Sequence, residues 1–139
     1  MDINSLDRFI KAQELAYSIA LREIKNGKKR SHWMWYMFPQ LRGLGKSSMA
    51  HAYGIEGLDE AKAYLEHPVL SKRLYELCGA LLEHKDKKAY EILGDIDAKK
   101  LHSSMTLFAL ISKKGSIFHQ VIDAFFDGER DIETLDLIY

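Results

Sequence analysis

The chain has 139 residues, of which 47% are hydrophobic and 11% aromatic, with two prolines and one cysteine. This apolar content excludes an intrinsically disordered protein, and the lone cysteine excludes both an intrachain disulfide and a cysteine-based metal site. The 20 basic and 20 acidic side chains balance, but basic residues are in excess up to residue 50 and acidic ones after it. This asymmetry either steers an anion to one side or neutralises one end of the chain against the other.

These properties predict a single domain over residues 1–139. We expect an all-α fold, a compact orthogonal bundle of about six to eight helices. The amino terminus lacks the apolar run of a signal peptide, and no stretch approaches the roughly 18 apolar residues of a membrane span. We therefore expect a cytoplasmic protein with no membrane partner.

The first helix is expected to begin near Ser5 and to end at Asn26-Gly27, where glycine adopts the left-handed conformation at little cost. Its apolar stripe comprises Phe9, Leu15, Ala16, Ile19 and Ile24, among others. Ser31 is the expected cap of a short helix over residues 33–38, which Pro39 ends. Residues 40–57 then form the longest irregular stretch, and such glycine-bearing loops are usually functional or mobile.

The later predicted helices cover residues 60–66, 69–84, 86–94, 95 or 97–111, 117–126 and 131–138. Asp59, Asp86 and Ser116 are their expected caps, and Pro68 suits a first helical turn. No segment alternates with a period of two, so the sequence predicts little or no sheet. The carboxylates between residues 123 and 136 are expected to form a solvated face.

The most unusual segment is the aromatic and methionine-rich run from His32 to Phe38. Trp33 and Trp35 lie on different faces of a helix, and a helix that is apolar all round either sits in the core or lines a pocket. Buried indole N–H groups need partners, which makes a ligand-lined cleft an alternative to the core. His32 joins this run to the basic residues Lys28–Arg30 and is the candidate group for proton transfer.

The glycine-rich loop that follows contains the components of an anion-binding loop. Gly43 and Gly45 allow a close approach of backbone amides, Arg42 and Lys46 supply charge, and Ser47 supplies a hydroxyl. The spacing lacks the leading glycine of a Walker A loop and no strand precedes it, so a nucleoside triphosphatase is not indicated. A solvated turn is the alternative interpretation.

Hydroxyl-bearing residues mark the long later helix, where Ser103, Ser104 and Thr106 follow Lys100. Half-buried hydroxyls need hydrogen-bond partners, which are either the carbonyls one turn earlier or groups in a pocket. The six histidines show no metal-binding spacing, so no metal and no cofactor is predicted.

The chain resembles a bacterial family of unknown function, also seen in some eukaryotes, whose members are often labelled "calpastatin". The resemblance spans nearly the whole sequence and is carried by several strings: Ser31-His32-Trp33-Met34-Trp35, Phe38-Pro39-Gln40, Gly43-Leu44-Gly45, His67-Pro68-Val69-Leu70 and Ser103-Ser104-Met105-Thr106-Leu107-Phe108. It implies a compact, mainly α-helical fold and no established activity. Calpastatins are long, disordered inhibitors, whereas this chain has the apolar content of a globular protein.

Three functions remain open at this stage. The leading hypothesis is a site for a nucleotide-like or phosphorylated small molecule, with His32 as the catalytic residue of an enzyme, if one is present. Its ligand-binding residues are Arg30, Trp33, Trp35, Gln40, Arg42, Gly43, Gly45, Lys46, Ser47, Lys100, Ser103, Ser104 and Thr106. A nucleic-acid-binding module is the second hypothesis, although zero net charge disfavours it. A protein-interaction domain without chemistry is the third.

Overall fold

Nine α-helices make up the secondary structure in a computed structural model that describes residues 5–139. They are α1 (Asp7–Lys25), α2 (Met34–Met37), α3 (Ser48–Ala52), α4 (Leu58–Glu66), α5 (Pro68–Leu82), α6 (Ala89–Leu93), α7 (Asp95–Leu110), α8 (Ile117–Phe126) and α9 (Ile132–Ile138). No strand occurs in this part of the chain, although Leu41 and Ile55 form an isolated parallel bridge. The all-α class is therefore confirmed, and α3 is a short helix within the stretch expected to be irregular.

Local signals set several helix ends where the sequence predicts them. Gly27 ends α1 with φ +76°, and Pro68 occupies the first turn of α5. Ser116 caps α8 by accepting a hydrogen bond from the His119 amide, and Asp131 caps α9 through the Thr134 amide.

Other caps differ from expectation because different residues precede the helices. Asp59 lies inside the first turn of α4, which Gly57 precedes, and α6 starts only at Ala89, after Lys88. The predicted caps Asp59 and Asp86 are therefore wrong, because Gly57 and Lys88 occupy the capping positions. Asp59 still lies near the positive end of the helix dipole, where a carboxylate is favourable.

Helix α1 buries a polar residue where the sequence suggested an apolar one. Leu15 is 87% exposed, whereas Gln13 is 1% exposed. The Gln13 amide donates to the Tyr36 carbonyl oxygen at 2.7 Å and to the Tyr64 hydroxyl at 3.0 Å. The helix therefore turns the Gln13 side toward α2 and α4, and its hydrogen bonds offset the cost of burying the amide.

The core lies among α1, α5, α7 and α8: α1 packs on α5, α5 on α8, and α8 on α7, and α6 and α9 pack on α7. Its largest fully buried side chains include Trp33, Tyr64, Phe9, Phe108 and Phe118. Cys78 is also fully buried, with its Sγ 3.7 Å from the Met105 Sδ, and burial raises the pKa of its thiol. No helix among residues 5–139 is long and apolar enough to cross a membrane.

Candidate functional site

The first tryptophan of the aromatic run belongs to the core. Trp33 is 1% exposed, and its indole Nε1 donates to Glu23 Oε1 at 2.8 Å. The same carboxylate accepts hydrogen bonds from the Arg30 and Ser31 amides at 3.0 Å and from the Ser31 hydroxyl at 2.6 Å. Ser31 therefore does not cap α2, as the sequence suggested, but ties the segment before it to α1.

These hydrogen bonds stabilise the ionised form of the Glu23 carboxylate. Burial raises the pKa of Glu23, but the hydrogen bonds from Ser31, Arg30 and Trp33 outweigh it and lower the pKa to about 2. The carboxylate is thus ionised at neutral pH, and charge-assisted hydrogen bonds are stronger than neutral ones. The indole N–H of Trp33 is satisfied within the protein, and its buried ring is not available for stacking on a ligand.

The hydroxyls of Ser103 and Thr106 are also used internally. Thr106 is fully buried, and its Oγ1 accepts from the Asp131 amide at 2.9 Å. The Asp131 carboxylate accepts from the Ser103 hydroxyl at 3.2 Å and from the Thr134 hydroxyl at 2.6 Å. Asp131 is 8% exposed, so the expected solvated face of carboxylates is wrong at this position. These bonds attach the start of α9 to α7.

Ser104 is buried as completely as Thr106. It is fully buried, and its Oγ has no hydrogen-bond partner among residues 5–139. Thr106 and Ser104 therefore do not face the solvent-accessible groove described below, whereas Ser103 reaches its edge.

The basic side chains of the glycine loop point elsewhere. Arg42 donates from Nε to the His51 carbonyl oxygen at 2.9 Å and pairs with Glu56 at 2.6 Å. Ser47 caps α3 by accepting a hydrogen bond from the Ala50 amide, and Lys46 is exposed. The exposed Arg30 and Gly43 also lie outside the groove, so the structure does not unite the whole predicted site.

A groove does form between the segment around α2 and the first two turns of α7, and we call it the α2–α7 groove. Its first compartment has a volume of about 540 Å³. The compartment is lined by Lys29, His32, Met34, Trp35, Leu93, Gly94, Asp95, Ile96, Asp97 and Lys100. The Lys29 amide donates to the Ile92 carbonyl oxygen at 2.7 Å, which fixes the chain before α2 against α6.

Two lysines and one carboxylate form a charged cluster in this compartment. Lys29 Nζ lies 2.7 Å from one oxygen of Asp97, and Lys100 Nζ lies 3.5 Å from the other. The Lys29 ammonium also lies 5.0 Å from the centre of the Trp33 ring, and the Lys100 ammonium 4.8 Å from that of Trp35. Cation–π contacts of this length hold the ammonium groups over the indoles.

A second, smaller compartment of about 160 Å³ continues the groove along α7. It is lined by Gln40, Leu44, Gly45, Ile96, Lys99, Lys100, Ser103 and Glu133. Ile96 and Lys100 line both compartments, so the two adjoin. The groove thus unites these residues from the predicted set: His32, Trp35, Gln40, Gly45, Lys100 and Ser103.

Sequence reasoning missed the residues that give the groove its charge balance. Lys29 belongs to the basic triplet Lys28–Arg30, but its partner Asp97 lies 68 positions later, where the sequence predicts only a possible start of a helix. The spacing of Asp97 and Lys100, three residues apart on one helix, is a signal that can identify this pair.

Another depression, of about 520 Å³, lies between the α5–α6 turn and the end of α8. Lysines and carboxylates alternate along it, for example Lys85, Asp86 and Lys87, and it contains neither a histidine nor a tryptophan. Within residues 5–139, no three His, Cys, Asp or Glu side chains lie close enough to hold a metal ion. The α2–α7 groove is therefore the better candidate site.

Comparison with known proteins places the chain in a family. Residues 3–138 match the family model "Protein of unknown function (DUF1810)". The chain belongs to this family. The crystal structure of the conserved hypothetical protein Rv1873 from Mycobacterium tuberculosis superposes on this DUF1810 protein with a TM-score of 0.94. The two sequences are 42% identical over 99% of this chain and 98% of the mycobacterial one. No curated protein is similar to the chain.

Proposed function

We propose that this DUF1810 protein binds a small phosphorylated, nucleotide-like anion in the α2–α7 groove. The observation that carries the proposal is the cluster in which Lys29 and Lys100 share the single carboxylate of Asp97. Within this cluster two ammonium groups face one carboxylate, so the cluster itself has one positive charge in excess, while the exposed Asp95 lies at the rim of the same compartment. A phosphate group can complete the coordination of these ammonium groups, since each carries three donors.

The start of α7 supports the same assignment. Helix α7 has 16 residues, and Gly94 precedes it without a side-chain cap, so no side chain satisfies the first amides of the helix. Free amides and the positive end of the helix dipole favour an anion at this place. Asp95, which is exposed at the rim, is the nearby group that opposes an anion.

Trp35 and His32 complete the proposed site from the opposite wall. Trp35 is half-buried and lines the compartment, which suits contact with the flat base of a nucleotide. His32 is exposed at the same wall, and its imidazole can both donate and accept a proton. In this proposal His32 is the candidate acid–base residue of a reaction on the phosphorylated ligand.

Thermal-shift measurements with inorganic phosphate, pyrophosphate and AMP test the binding. A ligand at one hundred times its Kd is expected to add about 2.7 kcal/mol of stability. Lys100→Gln should weaken binding about tenfold or more, because it removes a charged hydrogen-bond donor from the groove. The matched control is Lys113→Gln in the exposed turn before α8, which should bind like the wild type.

Two results would contradict the proposal. One is the absence of any shift with all three anions at millimolar concentration. The other is an equal response of the Lys100 and Lys113 variants, which would mean that binding occurs away from the groove. Salt-dependent retardation of nucleic acid without a small-ligand shift would instead favour the nucleic-acid hypothesis.

A further inference from the structure

The second compartment of the groove differs in chemistry from the first. It contains no aromatic ring, and its polar side chains are the Gln40 amide, the Ser103 hydroxyl, the Glu133 carboxylate and the ammonium groups of Lys99 and Lys100. Lys99 and Glu133 lie 3.5 Å apart at the exposed rim, so their charges balance. Apart from Lys100, which it shares with the first compartment, the second compartment therefore offers hydrogen-bonding groups whose charges balance.

The backbone of Gln40 is fixed by a hydrogen bond, whereas its side-chain amide can bind a ligand. The Gln40 carbonyl oxygen accepts from the Ile55 amide at 2.8 Å, beside the bridge between Leu41 and Ile55. The side-chain amide is half-buried and makes no hydrogen bond with residues 5–139. A half-buried amide with no partner among the described residues is completed by water or by a ligand group.

Gly45 keeps the space beside this amide open. A Cβ atom at Gly45 would lie 2.6 Å from the Ala50 Cβ and 3.5 Å from the Gln40 Nε2. Any larger residue would displace α3 or cover the amide. The absence of a side chain at Gly45 therefore leaves Gln40 accessible in the compartment.

Helix α7 forms one continuous wall for both compartments. Ile96, Lys100 and Ser103 are spaced at i, i+4 and i+7, which places them on the same side of the helix. Because Ile96 and Lys100 line both compartments, a ligand whose anion contacts the lysine cluster extends directly toward Gln40.

We infer that the anionic group of the ligand is joined to an uncharged, hydroxyl-rich moiety, such as a sugar, and that Gln40 selects this moiety. This inference rests on the proposed binding of an anion in the first compartment. A hydroxyl both donates and accepts hydrogen bonds, and the Gln40 amide offers the complementary pair of groups. The carboxylate of Glu133 can accept a hydrogen bond from a second hydroxyl, and the compartment has no aromatic ring on which a second flat ring could stack.

Isothermal titration calorimetry with inorganic phosphate and with ribose 5-phosphate separates the two claims. The wild type should bind ribose 5-phosphate about tenfold more tightly than phosphate, as expected for the hydrogen bonds that the sugar adds. Gln40→Met, which keeps the size of the side chain, should reduce that ratio to near one and leave phosphate affinity unchanged. Gln120→Met on α8 is the control that should leave both affinities at their wild-type values.

A second variant tests the same inference at an exposed residue, where the substitution should not disturb the fold. Glu133→Gln changes an exposed side chain on α9 and should reduce the preference for ribose 5-phosphate by a few fold without altering the melting temperature. Phosphate binding with no preference for the sugar, or a preference unchanged in Gln40→Met, would overturn this inference alone. No binding of either compound, even when Lys100 is intact, would overturn the proposed function and this inference together.

Discussion

Trp33 and Trp35 stand two residues apart in the same aromatic run but have opposite roles in the structure. Trp33 is buried and satisfies its indole N–H with Glu23, whereas Trp35 lies at the groove beneath the Lys100 ammonium. The difference arises because the start of α2 turns one ring toward α1 and the other toward α7. The aromatic run therefore contains both a core residue and a groove residue. The sequence alone does not show which tryptophan has which role.

The same difference occurs between two residues of α7, Lys100 and Thr106. Thr106 faces inward and binds the backbone of Asp131, whereas Lys100 faces the groove and pairs with Asp97. Both residues are candidate ligand-binding residues in the sequence. The side of the helix on which each lies determines whether it stabilises the fold or lines the groove. Substitutions on each side should show this separation directly.

The largest expected effect is the loss of Trp33. Trp33→Ala should lower the free energy of unfolding by about 3–5 kcal/mol, because it leaves a cavity in the core and removes a partner of Glu23. Trp35→Ala should lower the free energy of unfolding by less than about half that amount, since the Trp35 ring is already partly exposed to solvent. Urea unfolding of both variants measures the difference, and equal costs would show that both rings belong to the core.

A smaller, pH-dependent effect is expected at Glu23. Glu23→Gln should cost about 2–3 kcal/mol at pH 7, because an amide cannot replace a carboxylate as acceptor for several donors. The folded-state pKa of about 2 lies below the ordinary value of 4.5, so this stabilisation is complete above pH 4.5 and is lost as the pH falls toward 2. Urea unfolding of both proteins across this range should show their stability difference shrinking with acid.

The control for that experiment is Glu14→Gln on the exposed side of α1. Its stability should stay within about 0.5 kcal/mol of the wild type at pH 7. A difference between wild type and Glu23→Gln that does not change with pH would mean that the contacts of Glu23 do not depend on its charge.

The smallest effect concerns α7. Thr106→Val should cost about 1–2 kcal/mol, because it leaves the buried Asp131 amide without an acceptor. Lys100→Gln should cost less than about 1 kcal/mol, since a partly exposed ion pair contributes little to stability. Thermal unfolding of both variants in the absence of ligand makes the measurement. A larger loss at Lys100 than at Thr106 would reverse the assignment of the two sides of the helix.

The helices themselves were largely predictable because their signals are local. Ser116 and Asp131 cap their helices through amides three residues ahead, and Gly27 ends α1 with a positive φ. The five-residue helix α3 was not among the predicted helices, because it lies in a glycine-rich stretch with no periodic pattern long enough to detect. Leu15 was assigned to the core although it is exposed, since apolar spacing alone cannot show which part of a stripe is covered.

The candidate site was only partly predictable because its members are chosen by distant partners. Ser103 and Thr106 have the composition of a polar pocket, but their partner Asp131 lies more than 20 positions away. Arg42 is similarly engaged by Glu56 and the His51 carbonyl oxygen. The sequence indicates which side chains can form hydrogen bonds or ion pairs. The fold decides whether their partners are other residues of the protein or a ligand in the groove.

The burial of Cys78 has a consequence for the setting in which the protein works. The chain has one thiol, and that thiol is packed against Met105 in the centre of the molecule with its pKa raised by burial. Thiolates, not thiols, react with oxidants and disulfides, and they must be reached to do so. The folded protein therefore presents no reachable thiol for disulfide exchange, and no partner can be attached to it through a disulfide while Cys78 stays buried.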